Sequence, residues 1–167
     1  MATHSEQRWR IGHHGFFVLT QGLVLALSKF RRHVASGNLT DAGRYLEAAT
    51  CLMHGSASVF RFTGDFSEDD YNLGVRPTMP DRFSGIMSED HAVMIRIVPS
   101  SKGLPIELSF SHRRFKEATA GAIDAHTLVC AQFGGNDEPS LRMSQESRLS
   151  AVQVLKQFRR NRLRLLN

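Results

Sequence analysis

The segment His126-Thr127-Leu128-Val129-Cys130 sets an imidazole and a thiol four residues apart, in a stretch that reads as helix. On a helix, side chains at i and i+4 share one face, with their Cβ atoms about 5–6 Å apart. A flat cofactor lying on that face can be gripped twice, by a metal-ligating imidazole and by a thiol bonded to its periphery. Haem has both features, an iron that takes a proximal histidine and vinyl groups to which a thiol adds. The Cys-x-x-Cys-His of ordinary c-type attachment is absent, so a haem held by His126 and one thioether from Cys130 would be held unusually. The spacing also arises by accident. With 8 His in 167 residues, each cysteine has a chance of about 0.05 of a histidine four positions before it. A buried cysteine one turn from a histidine is ordinary core packing, so the surrounding elements must decide.

Those elements belong to one domain, 1–167, of a size that buries a substantial core. A hydrophobic content of 41% and a charged content of 22% describe a globule rather than a disordered chain. No run of about 18 purely apolar residues is present, so no membrane span is expected. Residues 1–14 read as a flexible polar segment with no secretory h-region. Two cysteines make no disulfide framework, which favours a reducing cytoplasm. Cys51, beside Leu52 and Met53, reads as a small core residue.

The periodicity is helical almost throughout. Phe16, Leu19, Leu23, Leu27, Phe30 and Val34 form one apolar stripe, closed by Ser36-Gly37-Asn38. Leu39, Ala42, Leu46, Ala49, Met53, Ser56 and Phe60 form a second, opened near Thr40-Asp41. Ser67 caps a short third helix ahead of Pro77 and Pro80. Ser88-Glu89-Asp90 starts a fourth, through His91, Met94 and Ile95 to Pro99. A fifth begins with Pro105 in its first turn, runs to Phe133 and ends at Gly134-Gly135. The last spans roughly Ser144 to Leu166. No strand alternation competes, and the expected architecture is all-α, a single-domain helical bundle.

Net charge is +5, concentrated in the tail Lys156-Gln157-Phe158-Arg159-Arg160-Asn161-Arg162-Leu163-Arg164. A solvated helix face, near haem propionates or a partner subunit, is the expectation there. Nucleic-acid binding is disfavoured, because no recognition motif accompanies the charge. His13-His14 reads as a solvated pair, His33 as exposed and His54 as a core histidine.

Several motifs occur in a particular order. Gly15-Phe16-Phe17-Val18-Leu19-Thr20-Gln21 opens the first stripe and Gly37-Asn38-Leu39 the second; Arg61-Phe62-Thr63-Gly64-Asp65-Phe66 precedes Phe83-Ser84-Gly85-Ile86-Met87-Ser88. This order resembles the tryptophan 2,3-dioxygenase superfamily of histidine-ligated haem proteins, over roughly residues 15 to 100. Thr20 stands where those dioxygenases have an active-site histidine, Met87 replaces the loop glutamine, and Ala92 takes the place of a carboxylate-clamping arginine. The chain is more similar to the superfamily's haem-dependent aromatic hydroxylases of natural-product pathways. One group there carries His-x(n)-His-x-x-x-Cys, and His126 and Cys130 match its second half.

That resemblance implies a tryptophan-dioxygenase-like bundle whose haem is held by His126 and a Cys130 thioether, with an earlier histidine on the opposite axial side. His91 and His112 are the candidates. His112 lies 14 residues before His126 on one expected helix, about 21 Å away along the axis, so it cannot reach the same iron. His91, 35 residues earlier on a separate helix, can; it is the candidate second ligand and, once displaced, the proton-moving catalytic group. Phe16, Phe17, Thr20, Phe83 and Met87 are candidates to line the cofactor and substrate space. The implied function is hydroxylation of a small tyrosine-like substrate with O2 or H2O2. The alternatives are a non-catalytic haem protein for sensing or electron transfer, and a cofactor-free interaction bundle. Superfamily members complete their pockets across subunits, so a homo-oligomer is a further expectation.

Overall fold

A computed structural model describes residues 3–79, 88–134 and 151–167. Among these residues six α-helices follow in order: α1 (His4–Ala35), α2 (Leu39–Thr63), α3 (Glu68–Asp70), α4 (Glu89–Ile97), α5 (Ser109–Gly134) and α6 (Ala151–Leu165). No strand occurs among the described residues, so the all-α expectation holds there. Thr3, Asn38, Ser67 and Ser88 cap α1 to α4, each accepting a backbone N–H from the first turn through its side chain. Gly37, at φ 74°, turns the chain between α1 and α2. Only a residue without a Cβ takes that left-handed conformation freely.

Why α1 and α2 pack closely is written in their small residues. They run antiparallel, and glycines recur along their line of contact. A Cβ built on Gly12 would lie 1.9 Å from Thr63 Oγ1, and one on Gly22 3.3 Å from Leu52. Gly15 meets Val59, while on α2 Gly55 meets Leu19. Below this seam Leu23, Leu27 and Phe30 of α1 pack with Ala42, Leu46, Ala49 and Met53 of α2. Phe115, Ala118, Ala122 and Ala125 of α5 and Met94 of α4 complete that core. A second cluster joins Tyr71, Val75, Val129 and Phe133, with Trp9 and Phe66 packed against it.

Several expectations change. The first helix begins at His4, so residues 4–14, expected to be flexible, are helical. Their stripe continues the predicted one backwards through His13 and Trp9 at the same three-and-four spacing. After α3 the chain passes through a π-helical turn, Tyr71–Val75, and a 3-10 turn, Arg76–Thr78. The fifth helix enters through a 3-10 turn, Ile106–Leu108, because Pro105 sits outside it as its cap. Cys51 and His54 are exposed rather than buried, since both sit off the Ala42–Leu46–Ala49–Met53 face. The loop residues Phe83 to Met87 and the start of the last helix, from Ser144, lie outside the described residues. By length and composition alone α1 is apolar enough to cross a membrane, with mean hydropathy 1.3 over 18 residues. Its polar residues, from His13 and His14 to Gln21, had hidden that run from a search for purely apolar stretches.

Gly12→Ala will destabilise the chain by about 1–3 kcal/mol, the usual cost of overpacking. Thr63 cannot turn away freely, because its hydroxyl donates to the Val59 carbonyl at 2.6 Å. Gly121→Ala, on an exposed stretch of α5 with nothing within 4 Å of its added Cβ, will stabilise by about 1 kcal/mol. Urea denaturation of the two variants beside the parent chain checks both signs.

Candidate functional site

The C-terminal end of α2 brings three helices together. Gly64, its cap, admits α5 so closely that an added Cβ would lie 2.8 Å from Val129 Cγ2. One turn earlier Phe60 stacks on the His126 ring, with centroids 4.6 Å apart and planes 11° from parallel. Phe60 also packs against Phe16 of α1, at 5.3 Å. A ladder Phe16–Phe60–His126 therefore crosses α1, α2 and α5. His126 and Cys130 both lie on α5, so the spacing that singled them out does place them one turn apart on one face.

Burial fixes the chemistry of both groups. Desolvation first, then the nearby His13 and His91 imidazoles, lower the His126 pKa from 6.5 to about 4. The ring is thus neutral near pH 7 and keeps a lone pair for donation. It retains some accessible surface, and no hydrogen bond to either of its ring nitrogens is found among the described residues. Desolvation raises the Cys130 thiol to about 11, so it stays protonated. Cys51, the other cysteine, is exposed and free on α2.

His91 enters from α4. Its backbone N–H donates to Ser88 Oγ at 3.2 Å, fixing it in the first turn, and its side chain is buried. Its ring lies near-parallel to that of Phe158 on α6, at 6.0 Å. Arg159, the next residue, is tied to Asp124 of α5 at 2.7 Å, so the basic C-terminal helix is anchored beside His91. His91 is the smallest of the three influences that lower the His126 pKa. His112 is instead a structural residue, its Nε2 lying 3.1 Å from the Pro99 carbonyl.

His13 is the residue the sequence reading missed. It is not half of a solvated pair: burial lowers its pKa, against the opposing effect of its hydrogen bond to the Trp9 carbonyl. Its ring lies 4.6 Å from the Trp9 ring, and it is the larger of the two charge influences on His126. Only His14 is exposed. The signal was available in the register, since His13 lies three residues before Phe16 on the buried stripe. Thr20 is buried, with its hydroxyl donating to the Phe16 carbonyl at 2.9 Å, and Ala92 is exposed. His33 is half-buried against Tyr45, at 5.3 Å, rather than exposed. Phe83 and Met87 lie outside the described residues.

An open groove of about 580 Å³ lies elsewhere, between the end of α2 and the Leu128 face of α5. Phe62, Phe66, Ala125 and Val129 line it, with Arg61 and Gln132; His126 and Cys130 do not. Its size would admit a small aromatic molecule, but its walls hold no histidine or cysteine. His126, with Cys130 one turn along the same helix, is the better candidate.

The lowered histidines make a stability prediction with a definite sign. An unfolded His126 takes up a proton near pH 6.5, whereas the folded one resists until about pH 4. The unfolded state binds more protons in that window, so folding stability falls as pH drops through it. For His126 alone the loss is on the order of 3 kcal/mol, and His13 adds in the same direction. Urea midpoints of the chain between pH 7 and 4 will show the decline, and His126→Gln will flatten it.

Comparison with known proteins supplies a family. The model of the SfmD 3-methyl-L-tyrosine peroxygenase family matches residues 1–118, a stretch that holds His13, Phe16, Thr20 and His91. A 3-methyl-L-tyrosine peroxygenase of Streptomyces lavendulae is 37% identical over 169 residues, covering 96% of this chain and 46% of its own length. The chain thus spans about half the length of that relative. No solved structure matches it. With more than half of its residues under the family model, the chain belongs to the 3-methyl-L-tyrosine peroxygenase family.

Proposed function

We propose that this chain is a haem-dependent peroxygenase that hydroxylates a small tyrosine-like substrate in a natural-product pathway. The observation that carries the reading is the half-buried, neutral His126 imidazole one turn from the protonated Cys130 thiol on α5. That donor set fits haem. A neutral imidazole is the form that ligates iron, and a thiol beside it can hold the porphyrin edge. The membership of a peroxygenase family supports the choice of peroxide as oxidant and of a tyrosine-like compound as substrate.

In this reading His126 would supply an imidazole ligand to the haem iron and Cys130 would hold the edge of the ring through its thiol. Bound haem supplies the oxidising power that a protein side chain lacks. The chain's own residues do the rest. Phe60, stacked on the imidazole, holds its plane and keeps water from that face. Phe16 braces Phe60 from α1. His91, from a separate helix, would be the candidate second ligand, and its ring nitrogen could take or give a proton. His13, held by the Trp9 carbonyl, keeps positive charge off the cluster by staying neutral. The tryptophan-dioxygenase-like fold, the homo-oligomer and a cytoplasmic site of action are parts of the same proposal.

The test is an absorption spectrum of the purified chain expressed with ample haem, followed by acid–butanone extraction. A Soret band whose colour stays with the polypeptide is the expected result. His126→Ala will lose or severely weaken haem, while Cys130→Ala will keep a haem that the solvent removes. Colourless parent protein, or haem retention unchanged in both variants, would overturn the assignment.

A further inference from the structure

Tryptophan and tyrosine are the aromatic side chains that give up an electron readily, and this chain places them with bias. It holds 1 Trp and 2 Tyr against 11 Phe. Phe60 and Phe16, the ladder against His126, are phenyl rings that resist one-electron oxidation. Phe60 also borders the cluster of Tyr71, Val75, Val129 and Phe133, and Trp9 packs against the same cluster. The single tryptophan and one of the two tyrosines therefore meet next to the ring that covers His126.

Their geometry is that of a contact pair. The Trp9 and Tyr71 ring centroids are 5.5 Å apart, and Phe133 lies against both, 6.1 Å from Trp9 and 4.5 Å from Tyr71. Electron tunnelling falls off exponentially with the gap between groups. Rings in contact thus exchange an electron far faster than a radical meets a reagent from solution. Tyr71 is buried, and its hydroxyl donates to Met79 Sγ at 3.8 Å. A thioether is a weak acceptor, so it orients the phenol without keeping its proton. Tyr45 lies elsewhere, stacked on His33, 15 residues before Phe60 on α2 and about 22 Å from it along the axis.

We infer that Trp9 and Tyr71 form a relay that draws a stray oxidising equivalent away from the His126 site, Trp9 giving up an electron and Tyr71 replacing it. The use of the relay rests on the peroxygenase reading. Peroxide consumed without a substrate still takes up two electrons and two protons to become two waters. Through the relay Trp9 supplies one electron. Tyr71 returns it to the indole and is left as a neutral phenoxyl radical, its proton passing to water. At neutral pH the phenoxyl is the more stable of the two radicals, so transfer runs downhill in this direction. A diffusible one-electron reductant such as ascorbate or a thiol restores the phenol with an electron and a proton. A second passage completes the reduction, and the two protons released match the two that the peroxide takes up.

The relay is tested without haem, by pulse radiolysis of the full chain in azide solution. Azide radicals oxidise indole in preference to phenol, and the one indole, Trp9, is half-buried. A Cys51→Ser background removes the exposed competing thiol. The indolyl band will decay as the phenoxyl band rises, at a rate independent of protein concentration. Tyr71→Phe, which keeps the ring against Phe133, will abolish the phenoxyl rise and lengthen the indolyl lifetime; Tyr45→Phe will change neither. Indolyl decay with no phenoxyl rise, a rate proportional to protein concentration, or transfer that survives in Tyr71→Phe would each overturn the inference. In the haem-loaded chain, peroxide without substrate will give a phenoxyl electron paramagnetic resonance signal that Tyr71→Phe abolishes, and that variant will bleach faster than the parent. Equal bleaching rates would remove the protective role. A chain that takes up no haem would instead sink the peroxygenase reading, with the relay decided by radiolysis alone.

Discussion

The close approach of α1 to α2 is the constraint on which everything near the histidines depends. Two backbones can run this near only where side chains are missing, and Gly12, Gly15, Gly22 and Gly55 supply the gaps in antiparallel register. That register is a geometric decision with chemical results. It sets Gly12 against Thr63, so Phe16 arrives beside Phe60; it lets Phe60 stand between Phe16 and His126. A helix pair held apart by even one methyl layer would carry His13 away from the α5 imidazole. The glycines therefore act on the candidate site without touching it.

Desolvation then does what charge partners do in other sites. No carboxylate is needed to explain the state of His126 or Cys130; burial is the first cause of both shifts. It works in opposite numerical directions and to one end, since it favours the uncharged form of each group. Crowding imidazoles together reinforces this, because a proton on one raises the cost of a proton on the next.

The sequence disclosed the local half of this arrangement and hid the distant half. Spacing alone put His126 and Cys130 on one face of a helix, and helical arithmetic alone separated His112 from His126. Both depend on one element's own geometry. Cap residues such as Ser67 and Ser88 were legible for the same reason. His13 was not, because Trp and His were not counted into the apolar stripe of α1, although the three-and-four spacing reaches back through both. Cys51 and His54 were misplaced by reading residue type rather than helical position. The π-helical turn at Tyr71–Val75 has no local signature at all; it follows from packing Tyr71 onto Phe133, at 4.5 Å and 11° from parallel. The neutral state of His126 is likewise a property of three helices meeting, which no single stretch of chain encodes.

Trp9 gives this neighbourhood a property of another kind. It is the chain's single tryptophan, and it lies against His13, Tyr71 and Phe133 with ring centroids 4.6, 5.5 and 6.1 Å away. The indole emission of the protein therefore comes from one known place, the wall behind the histidine cluster. Where most proteins average their fluorescence over several scattered indoles, this one has an optical gauge built into the neighbourhood where its chemistry is expected.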